Sequence, residues 1–185
     1  MRKLIVQTLI SLDGYVGGPK GELDWHIVTP ELHEVFNAQQ RRIGGYVMGR
    51  KTYEVMRGWD ELGGKPDDAP EYRGFHADWL ARPKLVFSTT LREVGRNARL
   101  ATGDAVSAIR ALKAGDGAPI ALNGTGLLAS IEAADLVDEY LLFVHPVLLG
   151  GGTRLFPEGS RRTLTLIESR TYPRGVVGLH YAVAA

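Results

Sequence analysis

The chain has 185 residues, 44% of them apolar and 23% charged, and its 22 basic and 21 acidic side chains leave a formal net charge of +1. That size and apolar content fit one domain around a single sizeable core, and so balanced a charge gives no global field to recruit nucleic acid or an anionic membrane. The absence of cysteine excludes disulfides, thiolate catalysis and cysteine-ligated metals.

The basic start Met1-Arg2-Lys3 is followed by an apolar run that Gln7, Thr8, Ser11 and Asp13 interrupt. The run is too short for a signal-peptide core or a membrane span, so a cytoplasmic protein is expected. Residues 4–10 read as a buried strand, ended by the turn pair Asp13-Gly14. A glycine-rich loop follows, with Gly17, Gly18, Pro19 and Gly21, and it carries Glu22-Leu23-Asp24-Trp25-His26. Thr29-Pro30-Glu31-Leu32 is a helix start: a threonine cap, proline in the first turn and an acid near the positive end of the dipole. That helix is expected to run to about Arg42, with Leu32, Val35, Phe36 and Gln39 facing inward.

Residues 46–48 form the second strand and residues 51–56 a short helix. Between them lies Gly49-Arg50-Lys51-Thr52, which puts a tight turn, free backbone amides, a hydroxyl and a guanidinium at one helix start. Unpaired N–H groups and the helix dipole attract anions there, and a planar arginine suits a phosphate monoester. A nucleotide phosphate clamp is the reading, with a plain turn as the alternative. Residues 57–74 are rich in glycine, proline and charge without a period, and read as a surface loop.

A third strand at 84–87 ends in Ser88-Thr89-Thr90. Asp104 caps a helix that keeps Val106, Ile109, Arg110 and Leu112 at helical spacing and closes at Gly115. A buried strand at 119–122 runs into Asn123-Gly124-Thr125-Gly126, and a helix takes 127–134. Residues 140–145 are a strand, and 164–169 with 176–183 form a terminal hairpin around Pro173-Arg174-Gly175. Strands alternating with helices predict an α/β fold: a mostly parallel central sheet, helices on both faces and antiparallel strands at one edge, in one domain over 1–185.

Three strands thus end in phosphate-friendly or hydroxyl-rich turns, and ligands of open α/β sheets lie across the carboxyl ends of strands. Neither the Gly-x-Gly-x-x-Gly fingerprint after the first strand nor the phosphate loop of nucleoside triphosphatases is present. His26, His33, His76, His145 and His180 are scattered without metal-ligand spacing, no metal is expected, and no Ser-His-Asp arrangement stands out. His26 reads as an exposed loop histidine, with proton relay as its alternative.

Four segments carry a resemblance. They are Ser11-Leu12-Asp13-Gly14-Tyr15-Val16, Val47-Met48-Gly49-Arg50-Lys51-Thr52-Tyr53-Glu54, Leu122-Asn123-Gly124-Thr125-Gly126-Leu127-Leu128, and Pro146-Val147-Leu148-Leu149-Gly150-Gly151-Gly152-Thr153-Arg154-Leu155-Phe156. In this order the chain resembles the dihydrofolate reductase superfamily, in particular its bacterial branch akin to the reductase domain of riboflavin biosynthesis. The second and fourth segments are the specific ones.

The resemblance implies a dihydrofolate reductase-like three-layer fold and NADPH as cofactor. Carried over by position, Gly49, Arg50 and Thr52 would meet phosphate, and Ser88 and Thr89 would flank the adenosine ribose phosphate. Asn123, Gly124, Thr125, Gly126 and Leu127 would lie along the pyrophosphate and nicotinamide; Asn123 stands where the family commonly has a further glycine. Folate-reducing members use a carboxylate on the first helix, where this chain offers Glu31 and Glu34, and an acid at Glu31 also simply complements the helix dipole. Asp24 and Trp25 lie in the loop corresponding to the family's mobile active-site loop. There Trp25 could stack on a flat heterocycle or anchor the loop, and Asp24 could bind ring N–H groups. Asp13 reads as a turn residue that also lies near the nicotinamide.

The implied activity is hydride transfer from NADPH to a small planar nitrogen heterocycle, pterin- or pyrimidine-like. The alternative is a non-catalytic NADP(H)-binding or interaction module that kept the cleft. The fused deaminase's His-x-Glu and Pro-Cys-x-x-Cys motifs are absent. The relatives' pairing through sheet edges implies a homodimer through residues 164–183.

Overall fold

A computed structural model of the chain describes residues 1–184. Its strands are β1 (Leu4–Ser11), β2 (Tyr15–Gly17), β3 (Gly45–Gly49), β4 (Lys84–Phe87), β5 (Ala98–Leu100), β6 (Ile120–Asn123), β7 (Glu139–His145), β8 (Thr153–Arg154), β9 (Leu164–Thr171) and β10 (Val177–Val183). Its helices are α1 (Pro30–Arg42), α2 (Arg50–Met56), α3 (Pro70–Ala81), α4 (Ala105–Ala114) and α5 (Leu128–Ala133). Eight strands form one sheet in the order β5-β4-β3-β6-β1-β7-β10-β9, and β2 pairs with β8 in a small antiparallel ribbon. The sheet is parallel from β5 to β7, while β10 runs antiparallel to both β7 and β9.

Alternation along the strands divides the core between two faces. Leu4, Val6, Val47 and Leu122 pack with Ile109 of α4 and with Leu128 and Ile131 of α5. On the opposite face Tyr46, Met48 and Val86 pack with Phe75 and Trp79 of α3, and Leu32 of α1 meets Phe143. β3 and β6 lie in the middle of the sheet with both faces covered, which is why they read as continuous apolar runs. The caps are those the sequence indicates: Thr29 Oγ1 accepts the Leu32 N–H at 3.3 Å, and Asp104 Oδ2 accepts the Ser107 N–H at 2.8 Å.

Two readings need correction. The supposed loop at 57–74 holds a 3-10 turn (Arg57–Asp60) and the start of α3, with Pro70 in the first turn. Only Phe75 and Trp79 of α3 are buried, too narrow a stripe to show as a period. Trp79 is fully buried and donates its Nε1–H to Asp60 at 2.8 Å, and a side chain of that size costs about 3–5 kcal/mol to truncate. Because α3 lies along α1, the fully buried positions of α1 include His33, Asn37 and Gln40 as well as Leu32, while Val35, Phe36 and Gln39 are only half-buried. Asn37 Nδ2 donates to the Glu71 carbonyl at 3.0 Å across that contact.

Candidate active site

In a sheet of this order the carboxyl ends of β4, β3, β6, β1 and β7 stand side by side along one rim. Neighbouring strands are about 4.8 Å apart, so the rim from β4 to β7 is roughly 19 Å long. The predicted phosphate turns fall on three adjacent strands of it.

At β3 the helix cap is Gly49, and α2 begins at Arg50, one residue before the expected start at 51, with no side-chain cap on its first amides. A Cβ on Gly49 would meet nothing within 4 Å, so its backbone faces open space. Arg50 Nη1 donates to Glu54 at 3.3 Å, but both side chains are nearly half exposed, and such a pair holds the guanidinium only weakly. At β6 Gly124 takes φ +89°, and a Cβ there would lie 2.0 Å from Thr52 Oγ1, so this turn and the first turn of α2 pack backbone to side chain. Asn123 Oδ1 is buried without a partner among the described residues. Thr125 accepts the Leu128 N–H at 3.1 Å, Gly126 faces open space, and Leu127 caps α5 without a side-chain hydrogen bond. At β4 Ser88 Oγ accepts the N–H groups of Thr90 at 3.1 Å and Leu91 at 2.9 Å, folding its own turn, and Thr89 is exposed.

The β1 end is a different kind of site. Ser11 Oγ donates to Asp13 at 2.6 Å and accepts the Tyr15 N–H at 2.9 Å. Asp13 also accepts the N–H groups of Leu149 at 3.1 Å and Gly150 at 2.8 Å. The Ser11 hydroxyl first, and then the two amides, hold its carboxyl down to about 2. Asp13 therefore ties the loop after β1 to the glycine turn after β7. Gly152 in that turn has φ +121°, and a Cβ there would sit 2.1 Å from the Gly17 carbonyl, so β2 and β8 meet only because it is glycine.

Asp24 is exposed. Trp25 is half-buried, donates its Nε1–H to the Glu22 carbonyl at 3.0 Å, and lies edge-on to His26 at 4.2 Å and to His145 at 5.4 Å. Instead of pointing freely to solvent, His26 is half-buried, and its ring centroid is 5.7 Å from that of His145. Burial first, and then the neighbouring His145, hold His26 down to about 4. His145 is fully buried and its pKa is lowered by burial alone. Sequence reasoning gave His145 no role, and the signal that could have drawn attention to it is a histidine closing an otherwise apolar strand. Glu31 and Glu34 lie on the exposed side of α1, and the Glu31 carboxyl is lowered by its own backbone N–H and by Thr29. Neither is buried at the sheet.

The rim can thus offer amides, a hydroxyl and a guanidinium to phosphates at β3, β4 and β6, and an aromatic and imidazole wall beyond β1. The family model of the RibD C-terminal domain matches residues 2–178. The chain belongs to that family. A further relative is the uncharacterised Bacillus subtilis (strain 168) protein YyaP, 30% identical over 97% of this chain and 94% of its own. Among solved structures, a Shewanella sp. PV-4 protein named for riboflavin biosynthesis matches at TM-score 0.74, with 28% identity over 99% of both chains. A Thermotoga maritima diaminohydroxyphosphoribosylaminopyrimidine deaminase/5-amino-6-(5-phosphoribosylamino)uracil reductase matches at TM-score 0.66 and 15% identity. That match covers 99% of this chain and 57% of the Thermotoga chain. The RibD C-terminal domain here has the dihydrofolate reductase-like fold of riboflavin-pathway pyrimidine reductases, with antiparallel strands completing the sheet. No helix among the described residues is long and apolar enough to cross a membrane.

Proposed function

We propose that this chain acts as one domain, an NADPH-dependent reductase of a small planar nitrogen heterocycle. The observation that carries the reading is the adjacency of three strand ends, β4, β3 and β6, bearing Ser88 and Thr89, Gly49 to Thr52, and Asn123 to Leu127. Arg50 and the open amides after Gly49 would take the 2′-phosphate and its neighbours, Thr52 the phosphate at the helix start, and Gly124 to Leu127 the pyrophosphate. The open space over Gly49 and Gly126 fits backbone approached closely by a ligand. When bound, the cofactor supplies hydride from its nicotinamide ring. The chain orients it, excludes water and holds the acceptor. In this reading Asp13 keeps the two loops together, Trp25 walls the acceptor side, and the exposed Asp24 is the carboxylate free to order a proton-donating water.

A homodimer through the C-terminal strands belongs to the same proposal. β9 is the sheet edge, and its Leu166 and Ile167 are each 51% exposed. Beside it runs a groove of about 440 Å³ between α1 and β7, β10 and β9, with Val35, Leu141 and Phe143 among its lining.

Calorimetric titration with NADPH and NADH tests the cofactor reading. The wild type should prefer NADPH, and Arg50→Ala should erase that preference by weakening NADPH about tenfold or more, the worth of a charge-assisted hydrogen bond. Binding of neither cofactor would overturn it. Binding without turnover of any heterocycle would favour a non-catalytic module.

A further inference from the structure

The phosphate reading leaves unused a buried pair of imidazoles at the far end of the rim. His145, the last residue of β7, is fully buried. Its Nδ1 accepts the backbone N–H of Ile27 at 3.1 Å, so the neutral ring carries its proton on Nε2. That Nε2 has no partner among the described residues, and neither has the buried Nε2 of His26 beside it. An unpaired buried polar group costs about 1–3 kcal/mol, and here two of them stand in neighbouring rings. Such a pair is what a site for a polar ligand atom leaves open.

Its position agrees. Along β3, β6, β1 and β7 it lies three strand spacings, roughly 14 Å, from the Arg50 turn. With its adenosine end at β4 and its phosphates at β3 and β6, a dinucleotide would extend its reactive ring towards β1 and leave the β7 end to the acceptor. We infer that His145 and His26 hold an oxygen atom of the reducible acceptor, with His145 donating its Nε2–H to it. The inference rests on the reductase reading above. The two ring centroids are 5.7 Å apart, with the ring planes tilted by 38°. A ring sandwiched between the imidazole planes would need about 7 Å.

Both imidazoles are neutral at neutral pH, since burial lowers each. Being uncharged, they suit a neutral oxygen and supply no counter-charge to a protonated amidine edge, for which a carboxylate is the stronger partner. The segment that covers His145 is tied mostly to itself: Glu22 accepts the N–H groups of Gly18 at 3.0 Å and Lys20 at 2.7 Å, and the Trp25 indole at 3.0 Å. It meets β7 through the hydrogen bond from Ile27 to His145 and the ring contacts of Trp25 and His26. Lifting that segment exposes Nε2, and closing it brings His26 onto the ligand.

Two variants separate contact with the acceptor from attachment of the loop. His145→Asn keeps an acceptor for the Ile27 N–H but cannot reach the Nε2 position. His145→Gln reaches that position with an N–H donor but gives up the bond to Ile27. NADPH binding is measured first on each protein. The NADPH-saturated proteins are then titrated by NMR with 5-aminouracil, which has ring carbonyls, and with 2,4-diaminopyrimidine, which has no oxygen. The wild type should favour 5-aminouracil; His145→Asn should weaken it about tenfold, His145→Gln should stay within about threefold, and 2,4-diaminopyrimidine should respond to neither change. Equal losses in the two variants, or a greater loss in His145→Gln, would mark an attachment role and overturn the inference. So would a wild type that binds NADPH but shows no preference for 5-aminouracil. Failure of the wild type to bind NADPH would instead bring down the reductase reading, and the inference with it.

Discussion

Gly124→Ala tests whether the turn after β6 and the first turn of α2 are built as one unit. Two costs arise. At φ +89° an L-residue meets its own backbone, a penalty of about 1–2 kcal/mol. The new Cβ would also stand 2.0 Å from Thr52 Oγ1 and 3.1 Å from Thr52 Cβ. Rotating Thr52 exchanges Oγ1 for Cγ2 without clearing the space, because the side chain is β-branched and stiff in a helix. Strand end and helix must then part, at about 1–3 kcal/mol for overpacking. The sum is a destabilisation of about 2–5 kcal/mol, read as a lower urea midpoint at unchanged slope. In a Thr52→Ala background the Oγ1 contact is gone, and the double-mutant cycle should return about 1–2 kcal/mol of coupling. A Gly124→Ala protein within about 0.5 kcal/mol of wild type, or a cycle with no coupling, would refute the reasoning.

Other expectations follow from single residues. Lys84 is buried with its Nζ bonded to the carbonyls of Arg82 at 2.9 Å and Arg96 at 3.3 Å, and burial depresses it to about 8 from 10.5. Between those values the unfolded chain binds more protons than the folded one, so stability should rise with pH from about 8 to about 10. Lys84→Met should flatten that rise in urea midpoints, and a rise that persists would contradict it. Asp13, held at about 2, stabilises the fold above the ordinary carboxyl range and ceases to as pH falls through about 2. Asp13→Asn should therefore lower the thermal midpoint at neutral pH, remove part of the acid-side loss, and speed hydrogen exchange at Leu149 and Gly150. Unchanged exchange there would show that the tie is dispensable. Ile167→Lys should turn a dimer into a monomer by light scattering. A wild type that is already monomeric rejects pairing through β9.

Much of this architecture is legible in local signals. The apolar runs of β3 and β6, the caps at Thr29 and Asp104, and the glycine turns after β3, β6 and β7 each act within a few residues, so a linear pattern records them. Local too is the order of strand, turn and helix that puts Gly49 and Arg50 after one strand and Asn123 to Leu127 after another. α3 escaped because Gly74 and several charges interrupt it while only Phe75 and Trp79 are buried. β5 escaped because three residues, with Arg99 exposed between the half-buried Ala98 and Leu100, are too few to carry a period.

Strand order, by contrast, is a tertiary matter, and it brings the turns after β4, β3 and β6 side by side. Asp13 as a clamp on Gly150, and Trp25 and His26 over His145, are contacts between segments more than a hundred residues apart. No propensity or spacing encodes them, because a side chain's partners, its loss of water and its proton affinity depend on which distant segments fold against it. Local backbone preference sets where elements begin and end; burial and pairing across the sheet set which residues can act together.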